Sequence, residues 1–394
     1  MGMTRDRTVG AVTCSLALIL AAACAAEVPA RASLSVTSDS AGVQIVRGPA
    51  TDSALPWRLV ELRRFGGADS GALSFTRVSR YSVATDGRAA IAVLDHDNDN
   101  RIHVFDTTGA VLRSMGRTGG GPGETQFPNG MRMDATGAVS VFDESKSALV
   151  RWGPDGSPLP ELPLKTARGR AWGAPRVAGD TMWVLLSFTD SLNTVRRLER
   201  WTSTDTLLID STYSPKPRMV MFKCVGLALP PLFTPELEWT VGAGRLATTS
   251  QSRYVVDLRE GGRLTRSIRR DIVPVAANTT DAKRLYPEGL KVRFGGSGEC
   301  VTPSAEVGEK VGVAATIPVV RTAVVAPDGT VWVERYTFEG ETPVVDVFAR
   351  EGQYLGTLTG RTLPLGFLDN DRVLFAMVNP DDDTTVIGMF RIER

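Results

Sequence analysis

The chain has 394 residues, is 42% hydrophobic, and sets 45 Lys plus Arg against 44 Asp plus Glu. That is ample apolar material for a large core, and a near-neutral chain with singly scattered Trp and Tyr has no electrostatic basis for binding nucleic acid. Two histidines, His96 and His103, are too few for a three-histidine metal centre, and no G-x-S-x-G, H-E-x-x-H or C-x-x-C motif occurs.

Residues 1–23 read as an export signal. Arg5 and Arg7 form a short positive region, and Val9 to Ala23 is an apolar run of 15 residues, too short and too rich in small residues for a membrane span. The run ends Leu20-Ala21-Ala22-Ala23-Cys24. Small residues directly before a cysteine resemble a bacterial lipobox, with Ala21 where a leucine usually stands, and make Cys24 the expected lipidation site. Cleavage after Ala30-Arg31-Ala32 and an uncleaved anchor are the alternatives. All three place the folded part in the cell envelope, outside the cytoplasm, lipid-anchored or periplasmic, and a lipid anchor is the membrane contact expected.

Residues 24–41 are rich in Ala, Ser, Thr and Asp, lack an apolar period, and read as a tether. Two short strands follow, Gly42–Arg47 and Trp57–Phe65. From about residue 80 a unit recurs: a D-x-x-G or x-D-G turn, an apolar strand, a polar hairpin, a second strand, and another glycine turn. The first unit has Thr85-Asp86-Gly87, Ala89–Leu94, the hairpin Asp95–Asn100, Arg101–Phe105 and the turn Asp106–Gly109. The second has Met131–Met133, Ala138–Phe142, the hairpin Asp143–Ser147, and Ala148–Trp152. A fainter third has Gly179-Asp180, Thr181–Leu186, Val195–Trp201 and Leu207–Asp210. The fourth runs Trp239–Val241, Leu246–Thr249, Tyr254–Leu258 and Thr265–Ile268. The fifth runs Thr322–Val325, Val331–Arg335, Val344–Phe348 and Tyr354–Leu358. The sixth has Leu365–Leu368, Arg372–Met377 and Val386–Ile392.

A four-stranded sheet cannot bury both of its faces alone. Radial packing of repeated sheets does so and leaves only short edges. The expected fold is therefore all-β, a six-bladed β-propeller over residues 42–394. An N-terminal strand, Gly42–Arg47 or Trp57–Phe65, is expected to complete the sixth unit and close the ring. Stretches near 212–238 and 274–318 interrupt the repeat. Each holds one cysteine, Cys224 and Cys300. These two either form a disulfide or remain thiols, according to a distance the sequence does not contain. The second stretch also holds a helix-compatible piece, Thr280–Tyr286, with Thr280 or Asp281 as its expected N-cap.

Gly116, Gly119, Gly123, Phe127, Pro128 and Gly130, followed by Asp134, Gly137, Val141, Phe142 and Asp143, resemble the NHL-repeat propellers. More closely, the chain resembles bacterial six-bladed β-propeller lipoproteins whose first blades are joined by a GR-x-G-x-GPGE-F loop. Here that loop is Gly116-Arg117-Thr118-Gly119-Gly120-Gly121-Pro122-Gly123-Glu124, with Phe127 two places later than usual. The resemblance covers roughly residues 40–394 and implies a fold and a location; it brings no general activity.

In such a ring, the loops between blades and the hairpins between second and third strands emerge on one face. That face would carry the Gly116–Glu124 loop, the Asp95–Asn100 and Asp143–Ser147 hairpins, both insertions and the Asp381–Asp383 loop, so a ligand site is expected there near the central channel. The candidate ligand-binding residues are Arg117, Gly119, Gly121, Gly123 and Glu124, whose backbone N–H groups suit an anion cradle, with Asp143 and Lys146 beside them. The competing reading of these glycines is a tight crossing between blades, since the Lys-Ser/Thr of a P-loop is missing. Asp95, Asp97 and Asp99 alternate as calcium ligands do, but Asn100 stands where the calcium loop needs glycine and a strand follows, so a solvated hairpin competes. The leading expectation is a monomeric, non-catalytic envelope propeller without a cofactor, binding a protein, peptide or glycan on its insertion-bearing face. The alternative is a calcium-dependent propeller hydrolase or lactonase, which needs only carboxylates and amides around a channel. A structural role within a larger envelope complex is the remaining reading.

Overall fold

A computed structural model of the chain describes residues 35–67, 75, 78–96, 98–164, 169–178, 181–294, 298–378 and 384–394. Cys24, Asp97 and the Asp381–Asp383 loop, singled out above, lie outside the described residues. The fold is a six-bladed β-propeller. Blade 1 comprises Val83–Thr85, Ala90–Asp95, Arg101–Asp106 and Val111–Met115, each antiparallel to the next. Blade 2 comprises Pro128–Met133, Val139–Asp143, Ala148–Trp152 and Pro158–Pro163. Blades 4 and 5 repeat the plan from Glu238–Gly242 to Arg263–Arg270 and from Val320–Val325 to Tyr354–Thr359. Blade 3 departs from it: its innermost strand is split into Arg170–Ala171 and Arg176–Ala178, both paired to Thr181–Thr189.

Each of the six blade-to-blade interfaces has its own apolar cluster. Leu94 and Ile102 of blade 1 meet Val141 and Trp152 of blade 2, and Phe142 and Leu149 of blade 2 meet Val184 and Leu186 of blade 3. Leu185 and Leu198 then meet Leu237 and Leu246, Val256 and Ile268 meet Val331 and Phe348, and Trp332 meets Phe375 and Phe390. The sixth cluster joins Leu374 and Ile387 of blade 6 to Ile91 and Phe105 of blade 1, which closes the circle. Burying a side chain of this size contributes about 1.5–3 kcal/mol, so the ring is held by many comparable interfaces rather than by one core.

Closure is made by Arg58–Phe65, which pairs antiparallel with Thr385–Glu393 as the outermost strand of blade 6. Of the two expected candidates, Trp57–Phe65 therefore takes this role. The other, observed as Val43–Gly48, lies parallel to Arg263–Arg270 on the outer edge of blade 4. Val36–Ser40 pairs with it across a turn at Ala41 and Gly42, whose φ values are 53° and 79°. The tether expected over 24–41 is corrected accordingly: residues 36–40 are an edge strand. All five are exposed, so nothing imposed the apolar alternation by which a strand is recognised.

Between these two strands the chain crosses the edge of blade 5, where Leu55 N–H donates to the Thr357 carbonyl at 2.9 Å and Thr357 N–H donates to Ser53 at 2.8 Å. Asp52 fastens this strap. Its carboxylate accepts from Arg270 at 2.9 Å and from Arg335 Nη1 at 3.0 Å. Behind it the fully buried Asp346 ion-pairs with Arg270 at 2.8 Å and accepts from Arg335 at 2.9 Å, Tyr254 Oη at 2.6 Å and Thr357 Oγ1 at 2.6 Å. The hydrogen bond from Arg335 holds the Asp52 carboxyl below its usual range.

The two insertions form one module. The hairpin Arg218–Met221/Gly226–Leu229 of the first packs with the short helix Ala282–Leu285, the hairpin Leu290–Phe294/Gly298–Thr302 and the helix Ser304–Val311 of the second. Val220, Phe222 and Phe233 share a core with Ala282, Val307, Val311 and Phe338. Cys224 and Cys300 are disulfide-bonded with Cα atoms 6.0 Å apart. The helix expected at Thr280–Tyr286 is entered through a 3-10 turn, Thr279–Asp281, capped by Asn278; Asp281, one of the two expected caps, stands at the N-cap position of Ala282–Leu285 but makes no side-chain capping bond to it. Asn278 accepts from Thr280 N–H at 3.0 Å, and Asp281 accepts from Asn278 N–H at 2.9 Å, a capping box.

Two outcomes are expected from these contacts. Asp346→Ala strands the guanidinium of a buried Arg270 and should cost about 3–5 kcal/mol, read from urea unfolding; a loss within experimental error of zero would refute the role given to the network. Cys224→Ser/Cys300→Ser removes a link across a sequence separation of 76, worth about 4 kcal/mol by chain entropy. Limited proteolysis should then cut within 216–237 and 271–319 while the blades stay intact.

Candidate functional site

The glycine-rich crossing between blades 1 and 2 does bring the predicted residues together, but it spends their polar groups on one another. Arg117 Nε donates to Glu124 Oε1 at 2.6 Å, and Gly121 N–H donates to Glu124 Oε2 at 2.7 Å. Lys146 Nζ donates to the Gly121 carbonyl at 2.9 Å and to Glu161 at 2.5 Å. Asp143 accepts from the N–H groups of Gln126, Ser145 and Lys146 at 2.6, 2.8 and 3.1 Å. Glu124 folds back into the loop as an internal anion. A Cβ on Gly119 would lie 2.1 Å from its carboxylate, and one on Gly123 (φ 70°) would lie 2.9 Å from Pro158. Both glycines are required by the crossing itself.

The acidic hairpin of blade 1 braces the same loop. Asp99 accepts from Thr118 N–H at 3.1 Å, and Asn100 donates to Thr118 Oγ1 and to the Thr125 carbonyl, both at 3.2 Å. Asp95 is buried at the end of its strand. Among the described residues, no group of three or more His, Cys, Asp or Glu is placed to hold a metal ion. His103 is buried, with Nδ1 2.8 Å from Ser114 Oγ, and burial lowers its pKa. It is a neutral packed residue.

The concave site is the central channel, a cavity of about 860 Å³ walled by the inner strands of all six blades. Its lining begins at residues that precede or flank those strands on the insertion-bearing face, among them Arg80, Glu144, Trp172 and Glu236. It ends at first-turn residues such as Asp86, Ala243 and Pro327. The split strand of blade 3 shapes one side. Trp172 keeps one ladder bond, to the Leu185 carbonyl at 2.7 Å, and Gly173 turns the chain at φ 74°. Trp172 is half exposed and Arg176 lines the cavity on the far side of the break.

The charges in this wall are unevenly paired. Arg80 donates to Tyr81 Oη at 2.8 Å and Thr322 Oγ1 at 3.0 Å, and lies 3.7 Å from Glu238. Arg196 pairs with Glu236 at 2.6 Å and covers one face of Trp172, 4.6 Å from its ring centroid. Glu144 accepts from Asn129 at 2.5 Å. Arg176 sits over Trp239 at 5.5 Å and donates to the Ala174 carbonyl at 3.2 Å, while its Nε is buried without a partner. Arg132 makes no hydrogen bond or ion pair with any described residue.

Arg132 is exposed, and the solvent it meets is that of a channel enclosed by all six blades. Burial, and after it the charge of Arg80, pushes its pKa down to about 10, so it remains a cation at neutral pH. Burial, then Arg132 and Arg80, hold Arg176 well below the usual arginine value. Burial raises Glu238 against the pull of Arg80 and a hydrogen bond from Thr322. The wall thus offers guanidinium forks and aromatic faces, which recognise oxyanions and flat rings. None of Arg132, Trp172 and Arg176 was singled out from sequence. For Trp172 and Arg176 the one visible trace was the faintness of the third repeat; Arg132 lies in the clear second repeat and left none.

A family model described as a six-bladed β-propeller matches residues 77–171. No curated protein matches the chain. Among solved structures, a member of the DUF4221 family from Bacteroides vulgatus is similar with a TM-score of 0.51 at 10% identity, over 87% of this chain and 100% of that one. A candidate exported protein from Bacteroides fragilis gives 0.49 at 10% identity, over 89% and 100%. A virginiamycin B lyase from Staphylococcus aureus gives 0.36 at 11% identity, over 85% and 98%. At these identities the likeness is one of fold.

The raised pKa of Glu238 sets a pH dependence. A native state that holds this proton more tightly than the unfolded chain is favoured below the ordinary value of 4.5 and loses that advantage as pH rises through the raised value. Glu238→Gln, which keeps a partner for Thr322, should therefore match the parent near pH 4 and exceed its Tm near pH 7. A Tm difference that stays constant between these pH values would contradict the assignment.

Proposed function

We propose that this chain is a non-catalytic binding protein of the bacterial cell envelope, exported by residues 1–23 and lipid-anchored at Cys24. Its propeller would receive a protein, peptide or glycan partner at the channel mouth on the insertion-bearing face. The observation that carries this reading is the channel wall: aromatic and cationic side chains from several blades converge on one open cavity, in a propeller whose two insertions pack into one module with Phe338 of blade 5. The Cys224–Cys300 disulfide supports a location outside the cytoplasm, since such bonds persist in oxidising compartments. The braced crossing loop and hairpins support a rigid rim.

The calcium-dependent hydrolase reading has less behind it. Its cation would sit among Arg80, Arg132 and Arg176, while Glu236 and Glu144 in the same wall are already engaged. Like charges at close range oppose such a site.

The test places a photo-crosslinking amino acid at Phe127 or Met219, both exposed on the insertion-bearing face, and at Thr136 in a first turn on the opposite face. Illumination of intact cells is expected to give discrete adducts from the first two positions and none from the third. Equal labelling of both faces, or a calcium-dependent lactone hydrolysis by the purified protein that a chelator abolishes, would overturn the proposal.

A further inference from the structure

The channel contains a charge imbalance that the fold does not use. Three guanidiniums, those of Arg80, Arg132 and Arg176, come from consecutive stretches of blades 1, 2 and 3 and line one cavity; after burial, the charge of Arg80 lowers the proton affinity of Arg132, and the charges of Arg132 and Arg80 lower that of Arg176. The carboxylates in the same wall answer only one of them. Glu238 stands beside Arg80, Glu236 is taken by Arg196, and Glu144 is held by Asn129 with Arg170 3.9 Å away. Among the described residues Arg132 is left with no hydrogen-bond or ion-pair partner, and Arg176 has a single carbonyl for its guanidinium and an unsatisfied buried Nε.

Structural explanations for these two side chains are weak. A guanidinium that braces a fold is expected to bond backbone carbonyls, as Arg270 does with Pro49 and Thr51 at 2.8 and 2.9 Å. Neither Arg132 nor Arg176 joins one blade to another by such bonds. A half-buried cation with an unfilled donor, Arg176, beside a second cation that opens onto the same channel, Arg132, is destabilising unless something of opposite sign joins them.

We infer that Arg132 and Arg176 form an oxyanion subsite within the channel, and that the ligand inserts a carboxylate or phosphate group there while a ring of the same ligand lies against Trp172. The inference rests on the proposed role of the channel and adds the chemical class of what enters it. Guanidinium forks match the paired oxygens of either group. Trp172 is 50% exposed, with Arg196 covering only one of its faces, so a flat platform stands at the mouth. Such a site favours an acidic sugar over a neutral one, because the neutral sugar leaves the two cations uncompensated.

The experiment measures Tm and tryptophan emission of the purified full chain at constant ionic strength, with sodium glucuronate, glucose or inorganic phosphate added. Glucuronate should raise Tm by a few degrees in a saturable manner and change the emission, whereas glucose should do neither. If phosphate saturates at lower concentration than glucuronate and competes with it, the oxyanion is a phosphate; if it competes only weakly, the oxyanion is a carboxylate on a sugar. Arg132→Gln should raise the Tm of the unliganded protein, since it removes an uncompensated cation, and should abolish the glucuronate shift. Arg176→Gln should do the same to the shift. A shift that survives in both variants, or equal shifts with glucose and glucuronate, or no shift with either anion, would overturn the subsite. Crosslinks confined to the insertion-bearing face would still stand in that case, so the subsite and the wider binding role fail separately.

Discussion

Everything in this molecule depends on closing a circle of six twisted sheets. Each blade buries its two faces only because a neighbour lies on either side, and the last interface, Leu374 and Ile387 against Ile91 and Phe105, exists only if the chain's two ends meet. They meet through Arg58–Phe65, placed outside Thr385–Glu393. A ring of this kind does not remove sheet edges, since Arg58–Phe65 is itself the outer strand of blade 6, but it leaves only short ones. Its weakness is that closure relies on residues more than 300 apart in sequence, joined late in any folding route that builds blades locally.

The strap that precedes the closing strand addresses that weakness. It runs along the outer edges of blades 4 and 5 before reaching blade 6, with ladder bonds at Val43–Gly48 and around Thr357. Asp52 then ties it to Arg270 and Arg335, which are themselves anchored by Asp346 in the interface between blades 4 and 5. One buried carboxylate therefore links two blades and the N-terminal segment. A buried ion pair adds little stability over an apolar packing of the same volume, yet it fixes which donor meets which acceptor. Here it sets the path of the strap.

The blades that were easiest to read share one turn chemistry. In the D-x-x-G and x-D-G turns the aspartate accepts from N–H groups further along: Asp106 from Thr108 and Ala110, Asp134 from Thr136 and Ala138, Asp328 from Thr330. Gly109, Gly137 and Gly329 follow at φ values of 88°, 86° and 87°. Residue type and backbone are coupled so tightly at such turns that the register of blades 1, 2 and 5 is visible in the sequence. The Asn278 cap, the helix Ser304–Val311 and the edge strand at 36–40 were not visible. Their positions depend on packing of the insertion module or on an edge exposed on both sides. The disulfide could be raised as a choice but not decided, because its spacing is set by two loops that meet only in three dimensions.

The channel was legible only in outline. Its existence follows from the ring, but its lining does not follow from a repeat, since an inner-strand residue faces the channel according to the local path of that strand. Blade 3 shows this most clearly. The break between Arg170–Ala171 and Arg176–Ala178 weakens the pattern by which the blade would be recognised, and it is the same break that sets Trp172 and Arg176 into the cavity wall. The regular blades supply rigidity and the irregular one supplies chemical character. The glycine-rich crossing is the converse case: conspicuous in sequence because the geometry there is demanding, and internally satisfied because Glu124 already occupies the place an outside anion would take. The crossing loop and the channel thus differ in one physical respect. The loop carries its own carboxylate for Arg117, whereas Arg132 and Arg176 make no ion pair with any described residue.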